Sequence, residues 1–265
     1  MKTNNTTNHN APKLVTHGVS KFFGDIRALH NIDITIFPSK ISAFVGPNGA
    51  GKTTLFHVLS GDLKPDSGNI IFNGEEIAGL SPWKIARRKI GKLYQDVRVF
   101  KDMTLCENVQ VALLSETEYR LTSAFSLLND REKKHKEEAL YWLEYVGLAD
   151  LANDQAGKLS YGQQKLLSIA RLIAHKSRLL LLDEPTAALS PVMIQKMIEL
   201  IRKLVLEQNC SVALIEHNMN VVKELAHYTY FMHEGSIFCH GTQESVLENS
   251  EVRELYMGLT GSAKR

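Results

Sequence analysis

A chain of 265 residues is long enough for one large domain, or for one domain with a subdomain inserted. Its 44% hydrophobic and 23% charged content is that of a soluble globular protein, and a formal charge of +2 gives no electrostatic case for a nucleic-acid partner. No run approaches the ~20 apolar residues of a membrane-spanning helix. Three scattered cysteines, Cys106, Cys210 and Cys239, lack metal-site spacing and read as free thiols in a reducing compartment.

Residues 1–12 form a polar start without an apolar core, which predicts a disordered tail and not a signal peptide. The rest, residues 13–265, reads as one domain. "KLVTHGVSKF" and "NIDITIF" predict strands; in the second, Ile32, Ile34 and Ile36 alternate with Asp33 and Thr35, so one face is buried. "SGNIIFNG" is a third short strand, and together these predict an antiparallel layer. "ISAFV" (41–45), "LLLLD" (179–183) and "SVALIE" (211–216) are continuous apolar runs, as strands buried on both faces of a parallel sheet should be. The basic run "KIARRKIGK" (84–92) reads as the solvated face of a helix. Residues 97–160 carry helical patterns without strand signals, with Ala139, Trp142, Leu143 and Val146 on one stripe. "YTYFMHEGSIFCHG" predicts a hairpin turning at Glu234 and Gly235. The fold class is α/β: a nucleotide-binding core with an N-terminal antiparallel β layer and an inserted α-helical subdomain.

"GPNGAGKT" (46–53) fits the phosphate-loop pattern G-x-x-x-x-G-K-[ST] and stands between a buried strand and a helix. Its glycines let successive N–H groups turn inward on phosphate. Gly46, Asn48, Gly49, Ala50, Gly51, Lys52, Thr53 and Thr54 are the candidate nucleotide contacts. Lys52 would reach the β- and γ-phosphates, and the Thr53 hydroxyl would hold Mg²⁺. "LLLLDEP" places two acids where a buried strand surfaces, the edge at which such sheets bind ligands. Asp183 is the second Mg²⁺ candidate, and Glu184 the general base for the attacking water. "LSYGQQKLLSIA" (159–170) opens a helix with a Ser-Tyr-Gly turn, the build of a second anion site.

The order of these motifs identifies the chain as resembling the ATP-binding cassette (ABC) ATPases over about residues 14–240. "LSYGQ" is similar to the family's "LSGGQ" signature, with Tyr161 for its first Gly. The resemblance implies two cassettes packed head to tail with ATP between them. Ser160, Gly162 and Gln163 would then serve the partner's γ-phosphate. It also implies that Gln95 senses Mg²⁺ and the attacking water, that His217 contacts the γ-phosphate, and that Phe23 stacks on adenine. After "DEPTAAL" the family commonly has Asp; this chain has Ser190, on the loop that communicates between the two sites.

"YQDVRVFKDMTLCENVQVAL", "IEHNM" and "VRELYMGLTG", with a longer insert around residues 113–137, resemble the branched-chain amino-acid importer ATPases, with lipopolysaccharide-export ATPases as close relatives. That resemblance implies a peripheral subunit on the cytoplasmic face of the membrane, with separate transmembrane permease subunits and a second ATPase subunit. A soluble ABC ATPase that moves no cargo is the rival reading. Such chains commonly carry two cassettes or long coiled coils, and neither pattern is present.

Overall fold

Two sheets of different construction share one hydrophobic interior. The computed structural model describes residues 13–114 and 128–261. The tail at residues 1–12 and the middle of the insert expected around residues 113–137 lie outside the described residues. Strands β1 (Leu14–Phe23) and β2 (Ile26–Ile36) pair antiparallel. Strand β3 (Ile41–Val45) belongs to the other sheet, while β4 (Ser67–Phe72) and β5 (Glu75–Glu76) complete the first in the order β2-β1-β4-β5. The second sheet adds β6 (Ile90–Leu93), β7 (Leu179–Asp183), β8 (Ser211–Ile215), β9 (Tyr228–His233) and β10 (Ser236–Gly241). Its order is β10-β9-β3-β8-β7-β6, parallel throughout except for the β9–β10 hairpin.

The residue patterns explain the division. Every residue of β3, β7 and β8 is buried, because helices cover one face and the antiparallel layer the other. In β2, Ile32, Ile34 and Ile36 are buried while Asp33 is exposed, so one face meets the core and one meets water. Helix α1 (Lys52–Leu59) lies between the sheets, with Leu55, Phe56 and Leu59 fully buried against Phe44, Ile34 and Ile215. Each such side chain contributes about 1.5–3 kcal/mol, which anchors α1 whatever meets its N-terminus.

Helices α2 (Pro82–Arg87), α3 (Leu105–Leu113) and α4 (Leu128–Tyr145) precede α5 (Tyr161–Ala174). Then come α6 (Pro191–Glu207), α7 (Met219–Leu225), α8 (Gln243–Glu248) and α9 (Ser250–Gly261). The stripe Ala139, Trp142, Leu143 and Val146 is buried as predicted, in one cluster with Leu166 and Ile169 of α5 and Leu180 of the sheet. Among the described residues no helix is long and apolar enough to cross a membrane.

The basic run at residues 84–92 is not one helical face. Helix α2 stops at Arg87, Lys89 turns with φ +67°, and Ile90–Leu93 is β6, paired parallel with β7. The misreading has a cause. Lys92 sits inside that strand with its side chain only 4% exposed, its ammonium 3.0 Å from the Asp62 carboxylate. A buried, paired lysine reads as surface in a one-dimensional pattern.

Candidate active site

Strands β3, β8, β7 and β6 are neighbours and run parallel, so the loops that leave them open at one sheet edge. Those loops carry, in that order, residues 46–51, His217, Glu184 and Gln95.

The phosphate loop needs its glycines. A Cβ on Gly46 would come within 2.1 Å of the Met232 carbonyl oxygen, and one on Gly51, at φ +97°, within 2.5 Å of that of Ala28. Gly51 is the N-cap of α1 and supplies no side-chain cap, which leaves the first amides of the helix to an outside acceptor. Lys52 is buried, and its ammonium donates to the carbonyls of Gly46 (2.7 Å) and Pro47 (2.8 Å). Burial lowers its pKa from the ordinary lysine value, while the nearby Glu184 and Asp183 pull it back up. A cation kept dehydrated beside two acids is poised to exchange carbonyl partners for phosphate.

Asp183 ends β7 at 2% exposure, and its Oδ1 has no hydrogen-bond partner among the described residues. Burial pushes its carboxyl pKa up, against the pull of Lys92. An orphaned buried carboxylate oxygen is a hard donor of the kind Mg²⁺ takes. Thr53, exposed on the first turn of α1, and Gln95, exposed after β6, flank the same edge.

Glu184 follows with φ +49°, a turn that costs a non-glycine residue about 1–2 kcal/mol. Its N–H donates to the Ile215 carbonyl (3.0 Å), and its own carbonyl accepts from the Lys165 ammonium (2.8 Å). The turn aims the carboxylate at His217, with Oε1 3.1 Å from Nε2. His217 is itself placed by Glu216, a buried carboxylate that accepts from the N–H groups of Thr186 (3.0 Å) and His217 (3.2 Å) and from the Thr186 hydroxyl (2.6 Å). The structure therefore brings Lys52, Asp183, Glu184 and His217 together.

Other predicted residues lie on the phosphate loop itself or on more distant elements. Asn48 and Gly49 are exposed on the loop, Ala50 is buried beneath it, and Thr54 is half-buried. Phe23 is an exposed ring at the end of β1, with the Lys21 ammonium 5.7 Å from its centroid. Ser160 caps α5: its hydroxyl accepts from the Gln163 N–H (3.4 Å), and Gln163 Oε1 accepts from the Ser160 N–H (2.9 Å). Gly162 is buried, and a Cβ there would come 2.9 Å from Met193 Cγ. Among the described residues no hydrogen bond runs from this turn to the chain's own phosphate loop. Ser190 caps α6, accepting from the Met193 N–H at 3.3 Å. An aspartate would cap equally well there, so the substitution leaves this local structure intact.

The profile of the ABC transporter family matches residues 29–187, more than half of the chain. The chain belongs to the ABC transporter family. This cassette is 37% identical over 250 residues to the high-affinity branched-chain amino acid transport ATP-binding protein BraF of Pseudomonas aeruginosa, covering 93% of this chain and 98% of BraF. It is 36% identical over 251 residues to LivG of Escherichia coli, a protein of the same description, with the same coverage. Its fold matches the ADP conformation of the cassette MJ1267 with a TM-score of 0.81 and 28% identity, over 94% of this chain and 99% of that one. It matches the cassette MJ0796, in a dimeric post-hydrolysis state bound to ADP and Pi, with a TM-score of 0.73 and 25% identity, over 87% and 98%. The cassette is thus an ABC-type ATPase subunit of α/β fold, closely related to branched-chain amino acid transport ATP-binding proteins.

Proposed function

We propose that this cassette binds MgATP in a head-to-tail pair and hydrolyses it to drive a multi-subunit importer of branched-chain amino acids. The observation that carries the chemistry is the single sheet edge where Lys52, the orphaned oxygen of Asp183, and the Glu184–His217 pair meet. The cargo rests on the names of relatives that match over nine-tenths of this chain, and these favour branched-chain amino acids over the lipopolysaccharide-export alternative.

The amides of residues 46–54 and the Lys52 ammonium grip the β- and γ-phosphates, and the exposed ring of Phe23 offers the adenine a stacking face. Mg²⁺, held by Thr53, Gln95 and Asp183, would neutralise charge on the phosphate oxygens. Glu184 accepts a proton from the attacking water as it adds in line to the γ-phosphorus, and ADP leaves. His217, whose Nε2 stands 3.1 Å from Glu184 Oε1, orients that carboxylate and meets the γ-phosphate. Among the described residues the Ser160 turn makes no hydrogen bond to its own chain's phosphate loop, which supports a site completed by a second cassette, either a copy or a similar chain. In this reading helices α3 and α4 face the permease, and the assembly sits on the cytoplasmic face of the membrane.

The test is Glu184→Gln. Turnover should fall about 10²–10⁴-fold, the share a general base supplies, while an ATP-bound dimer accumulates on size exclusion with light scattering. A variant that stays monomeric in MgATP would sink the sandwich.

A further inference from the structure

The signature helix is tied to the active site of its own chain. Tyr161, the first residue of α5, donates its hydroxyl hydrogen to the Gln95 carbonyl at 2.6 Å, a link across 66 residues of sequence. A phenol is protonated at neutral pH, so the hydroxyl acts as the donor. Lys165 lies four residues on, hence on the same helical face. It is fully buried and donates to the carbonyls of Glu184 (2.8 Å) and Ala187 (3.0 Å). Its ammonium stands 4.9 Å from the Tyr161 ring centroid, so ring and cation brace each other. Further along α5, Arg171 donates to the Arg98 carbonyl at 2.6 Å. One helix therefore holds the loop after β6 at two points and the Glu184 turn at a third, while Ser160 at its tip is exposed.

We infer that Tyr161 is a positioning residue for the Gln95 of its own chain, and that through it the first turn of α5 couples the neighbouring nucleotide site, met by Ser160, to this chain's hydrolytic loop. This rests on the two-cassette reading. A glycine at position 161, as in the "LSGGQ" pattern, has no arm to make the bond. The Gln95 side chain can act on water or metal only if its backbone is fixed, and the hydroxyl of Tyr161 fixes that peptide. A displacement of the Ser160 turn by a partner's phosphate then moves Tyr161, and Gln95 with it, on the opposite side of the interface.

Tyr161→Phe deletes one oxygen and keeps the ring over Lys165. In the full chain, hydrogen exchange at residues 95–99 should quicken roughly three- to tenfold, the worth of one hydrogen bond, with α5 itself unchanged. Unchanged exchange in that loop would overturn the inference. Mixed dimers of differently tagged copies then separate cis from trans. With Glu184→Gln on one copy and Tyr161→Phe on the other, hydrolysis occurs only in the copy whose own Gln95 has lost its latch, and turnover should drop roughly three- to tenfold against a dimer bearing Glu184→Gln alone. With both substitutions on one copy, the working site faces the altered signature but keeps its own latch, and turnover should match that control. The reverse pattern would mean that Tyr161 acts only across the interface, and the inference fails. If the copies do not associate in MgATP at all, the sandwich is wrong, while the exchange measurement still decides whether Tyr161 holds Gln95.

Discussion

The two helix N-termini to which the proposed mechanism assigns phosphate are built in opposite ways. Helix α1 starts from Gly51 in a left-handed turn, with no side-chain cap. Helix α5 starts from Ser160 with φ −61° and ψ 158° and closes a reciprocal capping box with Gln163. The first amides of any helix lack partners inside it. In α1 they are left for a ligand, and the helix stands because Leu55, Phe56 and Leu59 anchor it from below. In α5 the helix satisfies itself, and its outward offer is reduced to one hydroxyl hydrogen and the amides ahead of Gln163. The contrast fits two tasks. A loop that must hold nucleotide through a cycle is made dependent on it. In the proposed pair, a turn that lets go of the partner's phosphate after each hydrolysis would stay whole when alone.

Lys52→Ala tests the dependent end and should have the larger effect. The ammonium bridges the carbonyls of Gly46 and Pro47 and is buried beside Glu184 and Asp183. Its hydrogen bonds to phosphate are charge-assisted, worth about 1.5–3 kcal/mol, so ATP affinity should fall roughly 10- to 150-fold by titration calorimetry. Unchanged affinity would break the contrast, because the loop would then not be the phosphate grip.

Asp62→Asn asks what fixes the base of that helix. Asp62 sits just beyond α1 and accepts from Lys92 (3.0 Å), Ser60 (2.8 Å) and Tyr94 (3.2 Å), with His57 Nδ1 also at 3.0 Å. Burial alone would raise its carboxyl pKa; the bonds from Lys92 and Ser60 and the Lys92 charge outweigh that and lower it. Neutralising it leaves the Lys92 ammonium inside β6 without the paired carboxylate, with His57 Nδ1 (3.0 Å) and the Ser60 hydroxyl (3.4 Å) still beside it. The cost should be about 2 kcal/mol in chemical denaturation, below the roughly 3–5 of a fully buried pair because one-fifth of the Asp62 side chain meets solvent. Since the folded pKa is depressed, the carboxylate's contribution is complete above its unfolded value near about pH 4 and fades as pH falls through the folded one. Wild type and variant should therefore converge in stability on acidification. A gap that stays constant would show that Asp62 acts through packing and not through charge.

Legibility in the residues divides along the same line. The phosphate loop and "LLLLDEP" were readable because their chemistry is local: glycines where the backbone must turn tightly, and acids at the end of a run buried on both faces. The polar groups that organise the site were not. Glu216 stood unremarked in the strand "SVALIE", yet its buried carboxylate orders the Thr186 and His217 backbones. Lys165 passes unremarked inside "LSYGQQKLLSIA", yet it is fully buried and holds two carbonyls. Such residues are polar partners brought together from distant elements, and no spacing announces them. In "SYGQ" the ambiguity is intrinsic, since a serine followed three residues later by glutamine is the pattern of a capping box as well as the tip of a phosphate site. The structure shows the box.

Ser160→Ala separates those two roles and should have the smallest effect on a single chain. Losing an N-cap hydroxyl costs about 1 kcal/mol, read as a small shift of the denaturation midpoint. Binding of ATP to the chain's own phosphate loop should be untouched, because the Ser160 turn makes no hydrogen bond to it. The ATP-driven pairing of Glu184→Gln chains should nonetheless weaken, since each composite site loses one donor to the γ-phosphate. If pairing held at full strength while stability fell, the hydroxyl would be a cap alone, and the grip on the partner's nucleotide would have to come from the backbone amides of Tyr161 and Gly162.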